Sequence, residues 1–263
     1  MYESKEKKYE KRRTEVKRNL KVIWTYLKLP FIFKPVLFIF LVTLAPGISE
    51  AMFYYQTGVL HFSAESQSFI FMAGSLADMA GIVIYRQFFR QMKFSSIMVI
   101  TTLGMAVTQA SNLFLVRQQT ESLLGLSPYA FVLIQQVLYF VFMEIHLMPI
   151  MVLACKICPK KVEATFYAFV LAIINAGYLL SYSMGGALTH FLHITATDFT
   201  HFWILILISS LFPIVTLFAL FMVPDSDQIQ NQLQRYFEIK KQNREKDFLP
   251  DSQKNIRSSF GES

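Results

Sequence analysis

The sequence predicts an all-α, polytopic membrane protein with six transmembrane helices, and two observations carry that prediction. Charge is scarce and segregated. Charged residues make up 16% of the 263 residues, against about 25% in a soluble globular chain, and all but one of the 25 Lys and Arg fall in two tails and two loops. Between these basic stretches run six apolar segments of roughly 20 residues or longer, enough to cross ~30 Å of hydrocarbon at ~1.5 Å per residue. A lipid-exposed segment must satisfy its own backbone hydrogen bonds, so each is expected to be a helix.

Composition excludes other classes. At 54% hydrophobic residues with 26 Phe, most of the chain cannot be disordered, because disordered segments lack apolar and aromatic bulk. Two Cys cannot frame a secreted disulfide scaffold. The net charge of +7 reads as topology and attraction to anionic headgroups, not as a nucleic-acid surface.

The elements follow in order. Residues 1–34 hold eleven Lys or Arg, among them Lys11, Arg12, Arg13, Lys17 and Arg18. Interspersed Glu3, Glu6, Glu10 and Glu15, with no early apolar core, exclude a cleaved signal peptide. Residues 1–33 are thus a basic cytoplasmic segment, with 5–28 a polar helix or linker on the membrane surface. The bundle occupies 34–223.

Span one covers about 35–58. Pro46 removes a backbone donor and Gly47 loosens the helix, so a kink is expected there. Interrupted helices often line transport sites. Glu50 and Tyr54 are four apart and share a face. A carboxylate beside rings suits a flat heteroaromatic ligand. Equally, Tyr54 and Tyr55 form an interfacial aromatic belt.

Span two, about 67–88, carries the small-residue stripe Ala73, Ala77 and Gly81, which lets helix backbones approach, and one acid, Asp78. The loop after it holds Arg86, Arg90 and Lys93. Span three, 95–116, ends at Arg117, the one basic residue on its side. Span four, 128–154, places Gln136 and Glu144 two turns apart, with Pro149 as a kink site. His146 lies about 200° from Glu144 around the wheel, which argues against a joint proton relay. Lys156, Lys160 and Lys161 follow. Cys155 and Cys158 form a C-x-x-C without the context a redox or zinc site requires, and read as packing thiols. Span five, 164–190, carries a second packing stripe, Gly177, Ser181 and Gly185. Asn175, Tyr178 and Tyr182 share a face there, and Asn175 bonds either a substrate or a neighbouring helix. Span six is 202–223. In the tail, 224–263, Asp225 or Ser226 caps a helix bearing Ile229, Leu233 and Phe237, and the last ~15 residues read as disordered.

With seven basic residues in the tail, three in each basic loop and eleven at the start, the positive-inside rule puts both termini in the cytoplasm. The plasma membrane is the default and an organelle membrane the alternative.

Glu50, Asp78 and Glu144 are acids within spans, where no Lys or Arg lies at similar depth. Such acids are functional by default. Each takes up a proton, as a proton-coupled carrier requires, or is a neutral acid bonded to a neighbouring helix or a watery vestibule. His61, His190, His193 and His201 show no metal-ligand spacing. No phosphate loop, nucleophile elbow or H-E-x-x-H is present, so no catalytic residue, metal or cofactor is expected.

Two stretches resemble the folate-biopterin transporter family, a branch of the major facilitator superfamily. One is Cys158-Pro159, then Val162-Glu163-Ala164-Thr165, then Asn175-Ala176-Gly177. The other runs from Pro46 through Glu50-Ala51 to Phe53-Tyr54-Tyr55, followed by Leu60-His61-Phe62-Ser63. The loop Tyr85 to Lys93 takes the place of the superfamily's cytoplasmic loop between second and third helices, but lacks its Gly and Asp pattern. The resemblance covers residues 34–223 and implies the C-terminal six-helix half of a twelve-helix carrier, with 1–33 as the linker between halves. It implies transport of pteridines or folates, often with protons. It marks Glu50, Glu163, Thr165 and Asn175 as motif positions, with Pro46, Gly47, Arg86, Arg90, Glu163 and Thr165 structural or gating. A partner is then required, either an N-terminal six-helix half or a second copy, besides membrane lipid. The alternative is a transport-inactive carrier remnant serving as a scaffold or subunit. A pterin needs an aromatic sandwich and a carboxylate for its amino-pyrimidine edge, and span one is expected to supply both. A folate also needs a cation for its glutamate tail, and the spans offer none.

Overall fold

The computed structural model describes residues 23–158 and 163–223, together with the isolated positions 18, 231, 232, 235, 236 and 238. Among the described residues every regular element is a helix. Most of the proposed surface segment 5–28 lies outside the described residues, as do Lys160, Lys161, the cap at Asp225 or Ser226, the tail positions Ile229, Leu233 and Phe237, and the last 15 residues. Of the tail, Asn231, Gln232, Arg235, Tyr236 and Glu238 are helical.

Among the described residues five helices are long and apolar enough to cross a membrane. The first expected span departs from this pattern. It is two short helices, α1 (Pro30–Val42) and α2 (Ser49–Gly58), separated by a non-helical stretch. The expectation was one kinked helix; the structure interrupts it outright. Pro46 withholds a donor, and the Thr43 hydroxyl donates back to the Phe40 carbonyl at 2.9 Å, drawing a carbonyl away from helix continuation.

The remaining boundaries follow local chemistry. Helix α3 (Ala64–Ile84) starts where the Ser63 hydroxyl accepts the Ser66 N–H at 3.2 Å, and continues through a π-helical turn, Tyr85–Phe89. Helix α4 is Phe94–Val116. The short α5 (Thr120–Leu124) stops at Gly125, whose φ of 66° is left-handed. Helix α6 (Pro128–Lys156) is capped by Ser127 and begins with a proline whose missing N–H costs nothing there. It runs unbroken through Pro149. Helix α7 is Glu163–Phe191. Helix α8 (Phe202–Thr216) passes into a 3-10 segment, Leu217–Met222.

Helix α6 sits between α3 and α4; α4 also packs on α8, and α1 on α7. Glycines set the closeness. A Cβ at Gly104 would come 2.6 Å from the Phe142 ring, and one at Gly81 would come 2.8 Å from Glu144 Cβ. Side chains such as Val107, Leu179, Phe218 and Phe221 point outward and uncovered, which suits helices whose solvent is lipid. One end of the bundle closes over Tyr55, which is 3% exposed and T-stacks on Phe199 at 5.2 Å.

Candidate functional site: a polar cavity inside the bundle

The break between α1 and α2 is stitched to α7. Gly47 donates its N–H to the Ser181 carbonyl at 3.1 Å, and the Ser181 hydroxyl donates to the Ala45 carbonyl. These bonds serve main-chain groups freed by the interruption, groups that lipid would leave unpaired at a cost of several kcal/mol each. The stripe on α7 makes the approach possible. A Cβ at Gly185 would collide with the Gly47 carbonyl, and one at Gly177 would lie 2.9 Å from Thr43 Cβ. The packing role expected of Gly177, Ser181 and Gly185 is therefore aimed at the break itself.

Beside the break lies a cavity of about 460 Å³, lined from all six spans. That volume lies within the range of small-molecule sites. Pro46 and Gly47 form part of its wall, as do the rings of Tyr139, Phe140, Tyr178 and Tyr182. The exposed lining residues Phe53, Phe71 and Tyr182 mark its mouth. Among the described residues no Asp, Glu, Lys or Arg lines it. Its polarity comes from amides, hydroxyls and one imidazole.

Some of these groups are already paired. Gln67 Nε2 donates to Gln56 Oε1 at 2.9 Å, Gln135 Nε2 to the Thr108 carbonyl at 3.3 Å, and Asn112 Nδ2 to the Gln109 carbonyl at 3.1 Å. Thr101 donates its single proton to the Ile97 carbonyl at 2.7 Å. Its oxygen, 2.9 Å from His146 Nδ1, is then an acceptor, so Nδ1 carries the proton and Nε2 of the neutral ring is left as an acceptor. Others are unpaired: the side-chain amides of Gln109 and Gln136 hydrogen-bond no protein group among the described residues. Ser209 Oγ is buried without a partner.

A second polar feature lies outside that lining. Asp78 on α3 and Glu144 on α6 belong to two helices packed on each other. Asp78 Oδ1 is buried and unpaired. Gly81, one turn from Asp78, makes room for Glu144.

The other sequence candidates are not brought together. Glu50 sits in the first turn of α2, exposed, where a carboxylate complements the helix dipole. Tyr54 is 58% exposed and meets Phe53 edge-on at 5.9 Å. Asn175 is exposed on α7 and outside the cavity lining, which Tyr178 and Tyr182 of the same helix join. Arg86 lies in the π-helical turn and Arg90 caps it, both exposed. Glu163 opens α7, and Thr165 follows in its first turn, exposed. Cys158 Sγ contacts the Ala154 carbonyl at 3.0 Å. Burial, reinforced by Cys155 and Glu163, pushes its thiol up to about 11. Among the described residues no three His, Cys, Asp or Glu gather as metal ligands.

Reading the sequence for charge singled out Gln136 but missed the other amides. Gln109 and Asn112, three apart on one helix, and Gln135 beside Gln136 are the signal that was available: uncharged hydrogen-bonding side chains at mid-span, with no ion to draw the eye.

The chain matches the sequence model of the BT1 family over residues 9–243. It is 28% identical over 227 residues to the folate-biopterin transporter of Synechocystis, covering 86% of this chain and 46% of that protein. It is 30% identical over 213 residues to the probable folate-biopterin transporter 2 of Arabidopsis thaliana, covering 79% and 42%. It is 28% identical over 227 residues to folate transporter 1 of Plasmodium falciparum, covering 83% and 43%. The chain spans less than half the length of these curated relatives. No solved structure matches it.

Proposed function

The chain belongs to the BT1 family, and from that membership we propose that it works as a six-helix unit of a membrane carrier for pteridines or folates. The observation that carries the reading is the interrupted first span, whose freed backbone borders a polar cavity of ligand size. Relatives over most of the chain are named folate or folate-biopterin transporters, and broken helices in secondary carriers are sites of binding.

In this reading the unit is half of a major-facilitator-type bundle and pairs with another six-helix unit or a second copy. Glu50, Tyr54 and Asn175 are on faces the bundle leaves uncovered, as a contact surface requires. The Asp78–Glu144 pair is the proton site. A proton taken up there relieves the repulsion between two carboxylates in a poorly polarisable setting, so protonation and helix approach at Gly81 are linked. The basic loop with Arg86 and Arg90 and the start of α7 at Glu163 and Thr165 lie on the cytoplasmic side, with both termini.

The test is uptake of biopterin and of folic acid into proteoliposomes, with the mass of the purified particle measured in parallel. Concentrative uptake driven by an inward proton gradient supports the proposal. A stable particle with no uptake of either compound, alone or with its six-helix partner, overturns it in favour of a scaffold or subunit.

A further inference from the structure

We infer that the cavity within this single six-helix bundle is itself a ligand site, which reads a neutral, hydrogen-bonding bicyclic ring through the unpaired amides of Gln109 and Gln136 and Nε2 of His146. The inference rests on the carrier reading above and adds the recognition chemistry, which no charged residue supplies.

Buried polar groups are nearly always paired. Around this space the Ser209 hydroxyl on α8, only 5% exposed, is a buried group without a partner, and the half-buried amides of Gln109 on α4 and Gln136 on α6 make no hydrogen bond among the described residues. Their neighbours Gln56, Gln67, Gln135 and Asn112 satisfy one another or the backbone. The leftover set is therefore selective, with donors and acceptors that a bound molecule would complete. His146 adds an acceptor fixed by its tautomer, since Thr101 holds Nδ1.

The complementary ligand follows from these groups. A primary amide presents one carbonyl and one NH₂, so it pairs in two-point fashion with a lactam edge that carries an N–H beside a C=O. A 2-amino-4-oxo pyrimidine edge has that pattern plus a further N–H₂ for a second acceptor. The flat faces of such a ring suit the walls formed by Tyr139, Phe140 and Tyr178. The mouth at Phe53, Phe71 and Tyr182 is aromatic as well. An anionic tail on the ring would meet no cation among the described residues of the lining and would lose its hydration without return. The site therefore prefers tail-less pteridines to folates.

The experiment is direct binding to the purified 263-residue chain in lipid nanodiscs, read by the fluorescence of biopterin and by its displacement. Biopterin is expected to bind at least about tenfold more tightly than folic acid. Gln109→Leu and Gln136→Leu are each expected to weaken it about tenfold or more, with unchanged melting temperature. A measurement on the unmodified chain guards against misfolded variants: a ring analogue with oxygen in place of the 2-amino group keeps the lactam edge but puts an acceptor where the amino donor met its second acceptor, and is expected to bind at least tenfold more weakly than biopterin. No binding by the unmodified chain, equal binding of folic acid, indifference to the ring edge, or well-folded leucine variants that bind normally each overturn the inference. Uptake separates the two readings. Uptake that survives both leucine substitutions leaves the carrier standing and removes this site from it. Tight, edge-selective binding without uptake by any assembly leaves the site standing and removes the carrier.

Discussion

Gly47 gives its backbone N–H to the carbonyl oxygen of Ser181 at 3.1 Å, a main-chain hydrogen bond between the interruption in the first span and the middle of the fifth. The Ser181 hydroxyl serves the Ala45 carbonyl two residues earlier. One residue of α7 thus satisfies both a donor and an acceptor in the break.

Ser181→Ala keeps the donor's partner and orphans the acceptor. A buried carbonyl left unpaired costs about 1–3 kcal/mol, so the variant is expected to melt several degrees lower in a detergent thermal-shift assay. An unchanged melting point would show that the Ala45 carbonyl has another partner.

The two adjacent glycines of α7 are expected to behave oppositely. At Gly185 a methyl runs into the Gly47 main chain, whereas at Gly186 it meets nothing within 4 Å. Gly185→Ala is therefore predicted to destabilise by about 1–3 kcal/mol. Gly186→Ala is predicted to be neutral or to stabilise by up to about 1 kcal/mol, because alanine gives up less freedom in a helix. Melting curves of the two variants side by side decide it.

Glu50 lies outside the cavity lining and exposed on α2. Glu50→Gln is expected to leave biopterin binding by the isolated chain within about twofold, well under one hydrogen bond's worth, and to lower uptake once a second six-helix unit is present. Loss of binding in the isolated chain would put Glu50 back in the ligand site.

Asp78→Asn and Glu144→Gln are each expected to flatten the dependence of uptake on the proton gradient while biopterin still binds, since neither residue lines the cavity. Retained proton drive in both variants would locate coupling elsewhere.

Cys158 supplies a pH prediction. Its thiol is pushed up to about 11 by burial, and the thiolate is the reactive form. In a Cys155→Ala chain, maleimide labelling is expected to climb about tenfold per pH unit past pH 9, where an ordinary thiol levels off near ~8.5. In the unmodified chain at pH 7.5 the exposed Cys155 is labelled first. Sidedness of that labelling in sealed vesicles reports which face carries the end of α6.

Five spans were legible because length and apolarity alone decide whether a helix can cross lipid. The site of the interruption was legible too, in Pro46 and Gly47. Its extent was not, because whether a kink opens into a gap depends on Ser181, 134 residues away, being there to receive the freed N–H. Glu50 and Tyr54 do share a face, but a wheel shows only which residues share a side, not which side is inward. Tyr55, one step round, is the one that points in and bonds the Leu115 carbonyl at 3.4 Å. The cavity was hidden for a chemical reason. Charge announces itself in an apolar sequence, whereas Gln109, Asn112 and Gln135 look like ordinary tolerated polarity until two helices bring them around one void.

The stitching of the break has a mechanical consequence. Because the atoms that complete the α1–α2 interruption belong to α7, the second helix cannot swing on the first as a free hinge. Any tilt of α2 either drags α7 along or strips two hydrogen bonds in a place where nothing replaces them. The first and fifth spans are geared together, and the cavity wall they share moves as one piece or not at all.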